Sequence, residues 1–251
     1  MVITQVKSEN KQLQYQVTWE KLPENYLLPD DPVENTSQPL LAAALRENLE
    51  LIGFLKPQNL VASNHGICAT VNGKTVVKAP DWFYVPRVLP LEPPRARRSY
   101  TPSIEGEFPA IVMEFLSEND CDEYSSRPYY PYGKLWFYER ILRVPLYIIF
   151  EPEQGTLEVR KLEAESYKMQ QLDENQRYWV ECLNLYLGVW YGTKGDRTGF
   201  WLRWWDSNGN LLLWGAESLA LERQRAEQER QRAEKLAAYL RSQGINPEEL
   251  S

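Results

Sequence analysis

At 251 residues, with 43% hydrophobic content, 9 Trp and 15 Tyr, the chain is long enough to bury a large core and too apolar to stay disordered. A net charge of −7 argues against a constitutive high-affinity nucleic-acid binder, which carries a basic field. It leaves room for acids gathered at a metal beside a local basic patch.

Several chemistries fall away with the residue inventory. The one histidine, His65, lies in a turn-like Ser-Asn-His-Gly stretch and reads as a loop hydrogen-bonder rather than a catalyst. A Ser-His-Asp hydrolase would need that residue, and His-ligated zinc has no ligand set. Three scattered cysteines, Cys68, Cys121 and Cys182, point to a reducing, cytoplasmic setting and away from a disulfide framework. No apolar run has the length of a membrane span, and the first residues lack a signal-peptide layout. No glycine-rich phosphate loop supports a nucleotide cofactor.

In chain order, residues 1–29 are polar, and alternation over Tyr15-Gln16-Val17-Thr18-Trp19 predicts an edge strand or an ordered arm. A helix then opens, either after Asp30-Asp31-Pro32 or at Pro39 with Ser37 as cap. Leu41, Leu45, Leu49 and Ile52 form its stripe, and Gly53 ends it. Glu34 lies near its entry, where an acid favours the helix dipole. Cys68 to Val77 predicts a hairpin, because Asn72-Gly73 supplies the positive-φ pair of a tight turn between β-branched residues. Lys74 and Lys78 fall on its return strand.

Two short apolar runs follow, Asp-Trp-Phe-Tyr-Val from Asp81 and Ala-Ile-Val-Met-Glu-Phe-Leu around Glu114, and both read as buried strands. An acid in such a strand needs compensation. Two acids on neighbouring strands can meet at a cation, since Mg²⁺ accepts one or two carboxylates and keeps water. The competing reading has Asp81 capping a turn and Glu114 paired with an arginine. Between the runs, residues 86–108 form a proline-rich insertion with Arg95, Arg97 and Arg98 beside Tyr100. It is either a phosphate-tracking, nucleic-acid-binding loop or a solvated one.

An acidic loop holding Asp120 and Asp122 comes next, then helical spacing from Lys134 to Leu142. Leu146–Phe150 is a continuous apolar strand, and Thr156–Leu162 pairs with it around Gln154-Gly155. Short strands are predicted near Tyr178–Val180, Leu185–Trp190 and Phe200–Trp204, with a hairpin around Ser207-Asn208-Gly209 joining Trp201–Trp205 to Leu211–Trp214. From Glu217 to Gln243 a seven-residue repeat sets Leu219, Ala226, Ala233 and Leu240 on one seam of a charged helix. A solvated extended helix and a dimer zipper both fit that narrow seam.

These strands resemble the PD-(D/E)XK nuclease superfamily and, within it, the Uma-type family. Ala79-Pro80-Asp81-Trp82-Phe83-Tyr84-Val85 resembles that family's "PDVxxV" strand. Pro109 to Ser117 resembles its "PxLVIEVLS" strand, and Tyr138 to Pro152 is similar to its "Y…GVxEYWIVDP" segment. The resemblance spans roughly residues 30 to 190.

It implies an α/β fold, a restriction-endonuclease-like mixed β-sheet core flanked by helices, to which the seven-residue repeat adds a C-terminal charged extended helix. The expected organisation is an N-terminal arm (1–29), a nuclease-like domain (30–215) and the charged helix (216–251). The resemblance implies Asp81, Glu114 and the backbone carbonyl of Phe115 as ligands of Mg²⁺ or Mn²⁺, with Glu34 a candidate accessory carboxylate. At position 116, where the superfamily has lysine, this chain has Leu116. In the Uma-type family the basic residue follows on the next segment, which here falls at Arg127, with Lys134 next. The implied function is a metal-dependent endonuclease hydrolysing DNA, with a homodimer through the C-terminal seam as a partner arrangement. The alternative is a catalytically weak or inactive nuclease-fold module that binds or regulates, on the strength of Leu116 and the acidic charge. A protein organised by its C-terminal helix is a third reading.

Overall fold

The computed structural model describes residues 2–6, 15–21, 36–93, 95–116 and 122–244. The chain divides into two compact units, residues 1–212 and 213–251.

In the first unit, β1 (Val2–Val6) and β2 (Tyr15–Trp19) precede helix α1 (Gln38–Leu51). Next come β3 (Leu60–Ala62), β4 (Ile67–Val71), β5 (Lys74–Lys78), β6 (Trp82–Val85) and β7 (Ile111–Phe115). After a crossover come β8 (Leu146–Glu151), β9 (Thr156–Glu163), β10 (Ser166–Met169), β11 (Arg177–Val180), β12 (Leu185–Lys194) and β13 (Arg197–Trp205). They form a four-stranded sheet in the order β1-β2-β4-β5, a central six-stranded sheet β10-β9-β8-β7-β6-β3, and a three-stranded sheet β11-β12-β13.

The central sheet is mixed because only β7 and β8 run parallel, with Glu114 level with Ile149. Apart from Glu114, and Glu151 at the end of β8, its middle strands are apolar for a physical reason. β6 and β7 are buried at every residue, and β8 at all but Glu151, so both faces are covered and no polar alternation is tolerated. A parallel pair needs a long connection. Here residues 116–145 make it, and their described part holds a 3-10 turn at Asp122–Tyr124 and helix α2 (Lys134–Trp136).

Sequence and structure agree at the hairpin between β4 and β5, where Asn72 and Gly73 adopt φ of 51° and 73°. They differ at four places. β2 lies between β1 and β4, inside its sheet rather than at an edge, with Val17 opposite Val71. The helix expected over Lys134 to Leu142 is α-helical only as far as Trp136 and then widens over Phe137–Ile141, where the Leu142 N–H donates to the Phe137 carbonyl. That wider turn lets Phe137, Tyr138, Ile141 and Leu142 all be buried. β12 and β13 are longer than predicted and turn at Gly195 (φ 63°). Leu211–Trp214 is not a strand: a single bridge joins Leu211 to Trp205, and the Leu212 carbonyl is taken by the Asn48 and Arg203 side chains at 3.2 and 2.8 Å.

α1 begins at Gln38 with proline in its first turn, and Ser37 precedes it without capping through its side chain. Leu41, Ala44, Leu45 and Leu49 are buried. The Trp204 indole N–H donates to the Leu45 carbonyl at 3.2 Å, which ties α1 to β13.

The second unit is helix α3 (Gly215–Ser242). The Trp214 N–H donates to Glu217 Oε2 at 2.8 Å at its start, and Gly244 (φ 79°) stops it. Arg230 bridges Glu227 and Glu234 at 2.8 and 2.9 Å on a solvated face. Leu219, Leu236 and Tyr239 are exposed. A chain ending at Gly215 is expected to melt as cooperatively as the full chain, followed by circular dichroism. Loss of a cooperative transition would show that the first unit depends on α3.

Candidate active site

Asp81 immediately precedes β6, whose antiparallel register pairs Trp82 with Met113. Extending that register by one residue sets Asp81 opposite Glu114. The Phe115 N–H donates to Asp81 Oδ2 at 2.6 Å, so the first acid finishes the hydrogen bonding at the end of β7. Both acids therefore lie at one end of the central sheet.

Glu114 is fully buried. Its Oε1 accepts the Tyr138 hydroxyl at 2.8 Å and its Oε2 accepts Lys134 Nζ at 3.2 Å. Lys134 Nζ also donates to Glu123 Oε1 at 2.8 Å, while Glu123 Oε2 is buried with no hydrogen-bond partner among the described residues. Lys134 and Tyr138 come from the same short helical stretch, four residues apart, which is the spacing that puts two side chains on one face. The stretch is anchored from several sides. The Tyr147 hydroxyl donates to the Glu123 carbonyl at 2.8 Å, and the Trp136 N–H to the Ser125 carbonyl at 3.2 Å. A Cβ on Gly133 would lie 2.1 Å from the Ser125 carbonyl oxygen, so only glycine fits just before Lys134. Beside the cluster, Lys78 pairs with Asp122 at 3.1 Å.

Burial pushes the Glu114 carboxyl up to about 8, against the opposing pull of Lys134, while Asp81 and Glu123 add to the rise. Burial lowers the Lys134 ammonium, but Glu114 and Glu123 more than offset this and its pKa rises. The two shifts favour opposite charge states for one pair. The direction that stands is a protonated Lys134, because it faces Asp81, Glu114 and Glu123 together. Glu114 is then the acid whose charge the site tolerates least. Burial and the charge of Glu114 hold the Tyr138 hydroxyl well above its usual range.

The structure gathers Asp81, Glu114 and Lys134. Among the described residues Arg127 makes no ion pair with them, and its Nε is buried without a hydrogen-bond partner. Leu116 packs against the core cluster. The Phe115 carbonyl accepts the buried Gln38 amide at 2.6 Å, from the first turn of α1. Glu34 and Asp120 lie outside the described residues. Arg95 and Arg98 are exposed on the proline-rich insertion, whereas Arg97 is paired with the buried Glu105 at 3.0 Å. His65 stacks on Phe83, with ring centres 6.2 Å apart, and burial lowers its pKa.

Glu123, Tyr138 and Gln38 were not singled out in the sequence. Tyr138 had a signal, its i+4 spacing from Lys134. Glu123 had none, since it sits among other acids in a loop that reads as solvated.

Among the described residues no group of three or more His, Cys, Asp or Glu is arranged to hold a metal. A Mg²⁺ site does not require one, because this ion takes one or two carboxylates and completes its shell with water and phosphate. Asp81 and Glu114 supply that number of carboxylates, and Glu123 Oε2 beside them is a buried acceptor with no partner among the described residues.

A mixed sheet with an aspartate before one central strand, a glutamate in the next and a lysine brought in from the crossover defines a restriction-endonuclease-like α/β protein. Residues 27–193, more than half of the chain, match the Uma2 family, described as "Putative restriction endonuclease", and the chain belongs to that family. No curated protein matches the chain. No helix among the described residues is long and apolar enough to cross a membrane.

Removing one partner of a buried ion pair leaves the other uncompensated. Lys134→Met is therefore expected to cost about 3 kcal/mol in chemical denaturation. Adding Glu123→Gln should recover part of that loss. A Lys134→Met protein as stable as the parent would show that the cluster contributes nothing to folding.

Proposed function

We propose that the protein is a Mg²⁺- or Mn²⁺-dependent endonuclease that hydrolyses DNA phosphodiester bonds. The observation that carries this reading is the set of three side chains, Asp81, Glu114 and Lys134, meeting at one end of two adjacent central strands. Asp81, Glu114 and the Phe115 carbonyl would hold the cation, which neutralises phosphate charge and makes bound water more acidic.

This chain's own residues supply the rest. Gln38 fixes the direction of the Phe115 carbonyl, and Tyr138 fixes the rotamer of Glu114. Lys134 takes the place of the lysine that Leu116 lacks. Since its neighbours hold its proton on, its role is to orient the attacking water and stabilise charge developing on the phosphate, not to act as base. Arg127, in the same chain segment, would clamp a neighbouring phosphate, and Arg95 and Arg98 would extend a docking surface. Glu34 remains an accessory carboxylate in this scheme. Pairing of the exposed α3 seams would make a homodimer, and the free, unbridged Cys68 fits a cytoplasmic setting.

One observation favours the second reading, a binding or regulatory module with little turnover. Both oxygens of Glu114 already accept hydrogen bonds from the chain.

Nicking of supercoiled plasmid with Mg²⁺ or Mn²⁺ decides between them. The wild type should cleave, Asp81→Asn should abolish both cleavage and the rise in melting temperature with Mn²⁺, and Lys134→Ala should lower cleavage about a hundredfold with the Mn²⁺ response retained. Arg127→Ala is expected to lower cleavage about tenfold, as for loss of one stabilising contact. A wild type that binds Mn²⁺ yet never nicks would establish the non-catalytic module.

A further inference from the structure

The loop that delivers Lys134 carries a feature that the proposed cleavage does not use. Residues 128–132 read Pro-Tyr-Tyr-Pro-Tyr. Tyr129 and Tyr130 are 67% and 51% exposed, two neighbouring aromatic rings turned to solvent. The loop beneath them is held from both ends. The Tyr15 hydroxyl donates to the Pro128 carbonyl at 3.3 Å, and the Gly133 N–H to the Arg127 carbonyl at 3.1 Å. Tyr130 meets the edge of Tyr132, which is buried and stacks on Trp136 with ring centres 4.6 Å apart and planes 14° from parallel. The Lys74 ammonium lies 4.5 Å from the centre of the Tyr130 ring. Tyr15, Asn72, Lys74, Tyr129, Tyr130 and Tyr132 line a mostly apolar cleft of about 450 Å³.

We propose that this cleft is a stacking platform for an unpaired base of single-stranded DNA, with Lys74 taking the adjoining phosphate. The inference rests on the nuclease reading for the kind of ligand. Every base offers a π-face, and aromatic rings presented on a rigid surface beside a cation are what a single strand needs. A proline-rich peptide also docks on tyrosines, but it brings no phosphate for a lysine. Strand β5 leads from Lys74 at the cleft to Lys78, whose partner Asp122 adjoins Glu123 of the carboxylate cluster. Four residues of strand span about 13 Å, roughly four nucleotide steps at the rise of one DNA strand. A strand that starts at the cleft and follows β5 would thus pass Lys78, beside the carboxylate cluster, after a few nucleotides.

The test is fluorescence anisotropy of an end-labelled oligo-dT and of a matching duplex, titrated with the full chain in EDTA so that no turnover intervenes. The wild type should bind the single strand. Tyr129→Ala/Tyr130→Ala should weaken that binding about tenfold or more, with duplex binding unchanged and circular dichroism intact. Tyr129→Phe/Tyr130→Phe should bind as wild type, because stacking needs the ring and not the hydroxyl. Lys74→Glu, a surface change, should weaken it several-fold and flatten its salt dependence. An alanine pair that binds oligo-dT like wild type overturns the proposal. So does a wild type that ignores oligo-dT, including one that takes a proline-rich peptide instead. Tyrosine-dependent binding without plasmid nicking would sustain the platform while the nuclease reading fails, and nicking with tyrosine-independent binding would do the reverse.

Discussion

The structure depends on one buried acid. Glu114 sits in the middle layer of the central sheet, on a strand with no exposed residue, where an isolated carboxylate would be strongly disfavoured. It is accommodated because the crossover between β7 and β8 returns over the sheet end and brings an ammonium and a phenol to its two oxygens. The connection that parallel strands require is thus also the source of the groups that the acid requires. Removing either partner would leave the other without compensation, so sheet, crossover and site are one assembly.

The central strands β6, β7 and β8 and the positions of the two acids were legible in the sequence for a simple reason. Asp81 and Glu114 interrupt apolar runs that have no other polar residue, and Asn72-Gly73 has few uses outside a tight hairpin. Legibility fell where the signal lies in three dimensions. Arg95, Arg97 and Arg98 look alike in sequence, yet Arg97 is committed to Glu105, whose other oxygen accepts the Thr101 N–H at 2.8 Å. Glu123 looks like its acidic neighbours until the fold brings Lys134 to it. The widening of the helix after Trp136 has no local marker, because it is set by the burial of Phe137, Tyr138 and Ile141 against the sheet.

The proline-rich insertion shows the same balance of local and distant causes. Its sequence reads as a stiff surface loop, but it folds around Glu105. The Cys68 N–H donates to the Tyr100 carbonyl at 2.9 Å and the Tyr100 N–H to the Gly66 carbonyl at 2.8 Å, which bind the insertion to the start of β4. Buried Thr101 and Glu105 sit within it. The insertion is a built element of the first unit that leaves three of its arginines, Arg87, Arg95 and Arg98, at the surface.

The position of the lysine carries a further consequence. Had it stood at residue 116, alternation along the strand would have fixed it on the face of Glu114, independent of any loop. Residue 116 is instead leucine, packed against the core, and the ammonium arrives on a helix whose first residue follows Gly133. Its placement is set by the crossover: by the Ser125 carbonyl that leaves no room for a side chain on Gly133, by the Tyr15 contact to Pro128, and by Tyr132 stacked on Trp136. The exposed tyrosines lie on that same crossover, between its anchors and Lys134. Residues 128–132 thus lie between the anchors of the crossover and the residue that carries the ammonium.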